Sequence, residues 1–310
     1  MLIRIPKGWE IAGRDATPEG AYWNRRQLLQ GLGFAGAGTL LGAEGEKKSL
    51  YPAKRNTEFT LDRPVTDEDS ATGYNNYYEF HPTDKQAVRQ LVGKFKASPW
   101  MFTVGGLVKK PQTFDLDDLL KKVTLEERLY RFRCVEAWSM AVPWTGFPMS
   151  ELIKMVEPLP EAKFLRLVTV SRPDEMPGMK MAPWYKWPYY EGLRLDEAMN
   201  PLAMFVTGMY GKPLPTQNGA PFRVIVPWKY GYKNPKSLVT IDFVAKQPKT
   251  FWNESQPGEY GFYSNVNPNK PHPRWSQAQE RVLPTGDRRP TLLYNGYEKQ
   301  VASLYTGKEF

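Results

Sequence analysis

The chain has 310 residues, with 28 Pro, 25 Gly, 10 Trp and 17 Tyr but only two His and one Cys. One cysteine excludes an internal disulfide, two histidines argue against a zinc site, and the Pro and Gly content favours short elements joined by turns. The formal charge of +9 suits an anionic cofactor or an anionic membrane surface; without a dense Lys/Arg run, no nucleic-acid partner is expected.

Near the start, Asn24-Arg25-Arg26-Gln27-Leu28-Leu29-Gln30 precedes an uncharged Gly/Ala-rich run that reaches Ala43. Paired arginines ahead of a weakly hydrophobic segment read as a twin-arginine export signal. Gly31, Gly33, Gly36, Gly38 and Gly42 would make a poor mature helix, and the run is too short to span a bilayer. The alternative is an amphipathic or core helix beginning at Arg25. The export reading expects residues 1–43 to be cleaved near 43–45, leaving a soluble protein in the periplasm.

Residues 44–73 are polar and predict an extended arm. Residues 74–310 show no repeat or flexible linker and predict one continuous domain. It opens on Tyr74-Asn75-Asn76-Tyr77-Tyr78-Glu79-Phe80, which on pattern alone is either a turn packed on the core or part of a site. Trp100 to Val108 predicts a strand and Thr113 to Lys121 a short helix with Asp115 and Asp117 in its first turns. From Leu129 the chain alternates, placing Tyr130, Phe132 and Cys134 on one strand face and Leu129, Arg131 and Arg133 on the other. Ser150 is positioned to cap a helix whose inner face is Leu152, Ile153 and Val156.

Phe164 to Val170 predicts a strand with Thr169 near its end. Residues 172–192 predict a long loop carrying Met176, Met179, Met181, Trp184 and Trp187, which either rims a site or closes the core. Leu195 to Val206 predicts a helix interrupted at Pro201. Turn chemistry fills Gly211 to Pro221, and Phe222 to Pro227 predicts a strand. Ser237 to Val244 alternates, with Val239, Ile241 and Phe243 on one face.

Cys134 is the residue that most needs explaining. It can be a buried core thiol, a nucleophile, or a thiolate ligand to a soft metal. Arg131 and Arg133 would stabilise a thiolate, but alternation points them to the opposite face. A nucleophile also needs a base, and only His81 and His272 are on offer. These readings stay open on pattern alone.

Four motifs narrow them. Cys134-Val135-Glu136-Ala137-Trp138-Ser139-Met140, the Tyr74–Phe80 segment, Gln217-Asn218-Gly219-Ala220-Pro221 and Val226-Pro227-Trp228-Lys229-Tyr230-Gly231 resemble the catalytic-subunit family of periplasmic protein-methionine-sulfoxide reductases, in the sulfite oxidase superfamily of molybdenum enzymes. The resemblance runs from about Tyr74 onward and includes Asp196-Glu197-Ala198-Met199, His272-Pro273-Arg274-Trp275-Ser276-Gln277-Ala278 and Val301-Ala302-Ser303-Leu304-Tyr305. It implies an α+β fold of the sulfite oxidase type, with mixed sheets, short helices and long loops.

The resemblance also implies roles. Cys134 becomes the protein thiolate on molybdenum, and Glu136 a catalytic neighbour that orients water or moves protons, unless it is only an arginine's salt-bridge partner. Asn75, Tyr78, Glu79, Thr169, Asn218, Arg223, Asn234, Pro235 and Lys236 become contacts of one molybdopterin in its mononucleotide-free form. The Asn218-Gly219 pair also reads as a hairpin turn. The expected reaction is reduction of methionine sulfoxide in oxidised periplasmic proteins. Without a haem domain or a dimerisation domain, the chain is expected as a monomer paired with an integral-membrane haem b subunit, fed from the quinone pool, and as a passenger of the twin-arginine translocon. The alternatives are a sulfite dehydrogenase on the same fold and a non-enzymatic periplasmic binding module.

Overall fold

The structure, a computed structural model, describes residues 49–306. The expected export signal and the first residues of the arm lie outside them. In chain order the strands are β1 (Lys54–Arg55), β2 (Met101–Gly106), β3 (Gln112–Asp115), β4 (Glu126–Arg133), β5 (Trp138–Pro148), β6 (Phe164–Thr169), β7 (Tyr190–Arg194), β8 (Met204–Met209), β9 (Lys212–Pro213), β10 (Arg223–Ile225), β11 (Leu238–Val244), β12 (Gln279–Val282) and β13 (Arg288–Pro290). They form two sheets. One runs β1-β4-β5-β12-β13, with β8 branching from β5 to carry β9 and β10; the other runs β3-β2-β11-β6-β7. Both mix parallel and antiparallel pairs, and the described helices are only four to eight residues long. This is the α+β arrangement of mixed sheets, short helices and long loops that the resemblance implies, and the short elements are those that the Pro and Gly content favours.

Aromatic side chains join the sheets. Phe102 on β2 meets Phe222 at 4.7 Å between ring centroids, and Phe222 meets Phe205 on β8 at 4.8 Å and Phe147 on β5 at 6.5 Å. All four rings are buried. The β5/β8 pair slips register between Thr145 and Gly146, and a Cβ on Gly146 would lie 2.0 Å from the Phe205 carbonyl oxygen. Only glycine permits that approach.

Several local expectations shift for identifiable reasons. The extended arm pairs with β4 through β1 and then turns helical over Glu68–Gly73, because Asp67 caps the turn by accepting the Ser70 N–H at 2.8 Å. Thr113 to Lys121 divides into the end of β3 and a helix at Leu116–Leu120, with Asp115 as its cap. The Ser150 helix starts instead at Met149, behind Pro148, and still buries Leu152, Ile153 and Val156. The helix expected to reach Val206 stops at Met199; Pro201 follows, and Met204 to Val206 pair with β10. In β11 the register slips between Leu238 and Thr240, so Leu238 joins Ile241 and Phe243 on the buried face and Val239 does not. The 172–192 segment contains a helical turn at Gly178–Met181 and ends in β7.

Phe222→Ala should cost about 3–5 kcal/mol, since it empties the contact shared by three strands. Urea denaturation compared with wild type measures it, and a loss below about 1 kcal/mol would show that the ring is not a rivet between the sheets.

Candidate active site

The β4–β5 connection is a tight turn. The Cys134 N–H donates to the Trp138 carbonyl at 2.9 Å and the Ala137 N–H to the Cys134 carbonyl at 3.1 Å. Ala137 sits at φ 63°, in the left-handed region that a non-glycine residue adopts only when its surroundings enforce it. The enforcement comes from behind. Arg133, with no exposed surface, donates to the Cys134 carbonyl and to Gln277 Oε1 at 2.8 Å and Thr291 Oγ1 at 3.1 Å, and its Nε lies 3.3 Å from Glu280. Trp275 Nε1 and Gln277 Nε2 both donate to the Val135 carbonyl, at 2.8 and 2.7 Å. Arg131 is turned away onto Asp62 at 2.9 Å. The alternation expected along β4 thus keeps both guanidinium groups off the thiol, but Arg133 supports the turn that carries it.

Cys134 is 6% exposed. Its Sγ receives the Glu136 N–H and Asn76 Nδ2, each at 3.4 Å. Burial, and then the Glu136 carboxylate, push the thiol up to about 12. A free nucleophile needs the opposite shift. A thiolate here wants a bound cation beside it, and metal coordination supplies that. Among the described residues no cluster of three His, Cys, Asp or Glu is arranged to hold a metal ion, so any metal at Cys134 must bring most of its ligands with it.

The thiol lies in a cleft of about 970 Å³, counting space open to solvent. Of the residues expected from sequence, Asn75, Tyr78, Glu79, Cys134, Glu136, Asn218, Arg223, Asn234, Pro235 and Lys236 all line it. Thr169 does not. It stands behind Glu79, with its hydroxyl 3.3 Å from Glu79 Oε1 and 3.1 Å from the Tyr189 carbonyl.

The polar groups fit an anionic, hydrogen-bonding guest. Arg223 is a buried cation and Lys236 a half-buried one that donates to the Asn76 carbonyl at 2.8 Å. Neither is within ion-pair distance of a carboxylate among the described residues, though the charge of Glu79 still acts on Lys236. Burial pushes Arg223 down to about 9, and burial with the nearby Arg223 charge pushes Lys236 down as well. Such a pair is costly unless an anion such as a phosphate joins it. Asn218 donates to Ala71 and Asn75, both at 3.0 Å, while its buried Oδ1 has no partner. Gly219 makes room for Lys236: at φ 104° it is left-handed, and a Cβ there would lie 2.7 Å from the lysine Cβ. Asn218-Gly219 therefore closes a 3-10 turn at Thr216–Asn218 instead of the expected hairpin, and Asn218 lines the cleft.

Aromatic rings rim the cleft. Tyr78 packs edge-on against Trp252 at 5.0 Å, Tyr185 packs on Trp252 at 5.6 Å, and Trp184 follows at 6.0 Å from Tyr185 and is 70% exposed. The 172–192 segment reaches the cleft lining only through Tyr189. Met176 and Met179 close the core, while Met181 and Trp184 face solvent.

Sequence reasoning missed Asn76, Lys85 and Trp138. Each places a nitrogen 3.1 Å from Glu136 Oε2. The salt-bridge partner of Glu136 is thus Lys85, not an arginine. Asn76 and Trp138 lie inside the quoted motifs; Lys85, in an ordinary polar turn, carries no sequence signal.

An oxidoreductase molybdopterin-binding domain matches residues 89–252. The protein-methionine-sulfoxide reductase catalytic subunit MsrP of Burkholderia mallei (strain ATCC 23344) is 49% identical, over 100% of this chain and 98% of its own length. MsrP of Ralstonia nicotianae (strain ATCC BAA-1114 / GMI1000) is 47% identical over the same shares. Among solved structures, the sulfane dehydrogenase SoxCD from Paracoccus pantotrophus aligns with a TM-score of 0.45 and 15% identity, over 84% of this chain and 63% of that one. The chain belongs to the catalytic subunits of protein-methionine-sulfoxide reductase, molybdenum-dependent oxidoreductases with a molybdopterin-binding domain.

Proposed function

We propose that this chain repairs methionine sulfoxide in oxidised periplasmic proteins, with Cys134 as the thiolate ligand of a molybdenum carried by one mononucleotide-free molybdopterin. The observation that carries this reading is one cleft that gathers the single thiol, 6% exposed, with Arg223 and Lys236, neither of them within ion-pair distance of a carboxylate among the described residues. When bound, the molybdenum centre supplies two-electron oxygen-atom transfer at sulfur. The overall change is sulfoxide plus two electrons and two protons to thioether plus water.

This chain's residues hold, orient and protonate. Arg223 and Lys236 take the pterin phosphate, and the unpaired Asn218 Oδ1 accepts from the pterin ring. Asn75, Tyr78, Glu79, Asn234 and Pro235 complete the cradle, with Thr169 steadying Glu79. Glu136, whose side chain is 28% exposed, stands where a carboxylate can pass protons between solvent and the cleft. The exposed Trp184 and the rings behind it suit a flexible apolar stretch around an oxidised methionine.

The remaining parts of the reading are supported by family analogy and by the sequence. No haem belongs to this chain. It works as a monomer beside an integral-membrane haem b subunit that takes electrons from the quinone pool. Residues 1–43 direct export through the twin-arginine translocon and are removed near 43–45. Among the described residues no helix is long and apolar enough to cross a membrane.

Enzyme matured through its export pathway should carry about one molybdenum per chain, and Cys134→Ser should lose it by elemental analysis. Molybdenum retained by Cys134→Ser would remove the ligand assignment. Glu136→Gln should keep the metal while kcat falls about a hundredfold. Trp184→Ala should raise KM about tenfold for an oxidised protein and leave free methionine sulfoxide unaffected, and equal effects on both substrates would move protein recognition elsewhere. Sulfite-dependent reduction of an acceptor faster than sulfoxide turnover would favour the sulfite dehydrogenase.

A further inference from the structure

Glu136 does not choose its own orientation. The last torsion of a glutamate is broad, so its carboxylate turns freely unless neighbours fix it. Here three donors converge on one oxygen: Asn76 Nδ2, Trp138 Nε1 and Lys85 Nζ all lie 3.1 Å from Oε2. Trp138 belongs to β5, two residues along from Glu136 itself, and Asn76 lies on the segment that faces the thiol. Lys85 arrives from a separate turn and is the only cation within ion-pair distance of Glu136 among the described residues.

That turn is built to present it. His81 Nδ1 accepts the Asp84 N–H at 2.8 Å, and Asp84 Oδ1 accepts the N–H groups of Gln86 at 2.9 Å and Ala87 at 3.1 Å. The Lys85 carbonyl accepts the Asn75 N–H at 3.0 Å, which ties the turn to the segment carrying Asn76. These bonds fix the backbone at Lys85, and its side chain, only 20% exposed, reaches Glu136 from outside the cleft lining.

We infer that Lys85 is a positioning residue for the reductase reaction: it fixes Glu136 by Oε2 and leaves Oε1 as the oxygen that serves the cleft. The inference rests on the proposed placement of Glu136 beside the reacting centre, next to the Cys134 sulfur. Among the described residues the Lys85 side chain makes no hydrogen bond or ion pair with the thiol or the pterin cradle. Its one bond to the cradle, in which its carbonyl accepts the Asn75 N–H, is a backbone bond that a side-chain substitution keeps, so the substitution spares cofactor loading. Lys85 acts through Glu136 alone, and the two residues form one unit energetically.

The test compares Lys85→Met, Lys85→Arg, Glu136→Gln and the double variant Lys85→Met/Glu136→Gln, all matured as full-length enzyme. Lys85→Met should keep the wild-type molybdenum content and melting temperature while kcat falls about tenfold, as expected for a lost half-buried charge contact. KM should stay within about twofold, because no uniform binding contact is removed. Lys85→Arg should recover most of the rate. The electron paramagnetic resonance signal of the molybdenum should shift in Lys85→Met and return in Lys85→Arg. The double variant should be no slower than Glu136→Gln. Loss of molybdenum or of melting temperature in both Lys85 variants would make the residue structural and overturn the inference. So would a double variant whose losses multiply, or a Lys85→Met enzyme at full rate while Glu136→Gln falls. If Glu136→Gln itself loses nothing, the role of Glu136 fails and the inference fails with it.

Discussion

Everything at this site depends on one short turn being held from behind. Between β4 and β5 the chain must reverse while aiming a thiol into the cleft, and Ala137 takes a left-handed conformation to do it. Nothing in the turn's own sequence makes that favourable. The compensation comes from Arg133, Trp275 and Gln277, which capture the carbonyls of Cys134 and Val135. Arg133 is in turn held by Glu280, and Trp275 is stacked on His272 with ring centroids 3.7 Å apart. A residue close in sequence and a segment some 140 positions later therefore jointly set where the sulfur sits.

The charges inside the protein divide into two kinds. Lys229 and Lys233 are fully buried, yet each has its own carboxylate, Glu197 and Glu191, at 2.6 Å. Those pairs are closed and stay within the framework. Arg223 is as deeply buried and Lys236 is half-buried, yet neither has a carboxylate at that distance among the described residues. Burial alone does not separate a structural cation from a ligand-binding one. Whether the protein has already neutralised it does.

Much of this was legible in the sequence, for reasons that can be named. Alternation along residues 129–134 gave the strand leading to the thiol and the direction of both arginines, because the pleat allows no other placement. The resemblance brought the cleft-lining residues together: Asn75, Tyr78, Glu79, Cys134, Glu136 and Asn218 sit inside its motifs, and Arg223, Asn234, Pro235 and Lys236 lie just beyond them. What escaped was set by tertiary context. Met204 to Val206 look helical until β10 offers them partners. Leu238 displaces Val239 from the inner face through a register slip that no local pattern announces. Lys85 sits in a polar turn like many others, and only the folded chain brings its ammonium to Glu136.

The solitary thiol has one more consequence. A sulfur that is oxidised to a sulfenic acid can be rescued internally only if a second cysteine condenses with it, and this chain has none. An enzyme that meets oxidant-damaged proteins must therefore keep its own sulfur from becoming the next casualty. At 6% exposure, beneath aromatic rings and with its chemistry committed to a metal in the proposed holoenzyme, Cys134 is shielded rather than repairable.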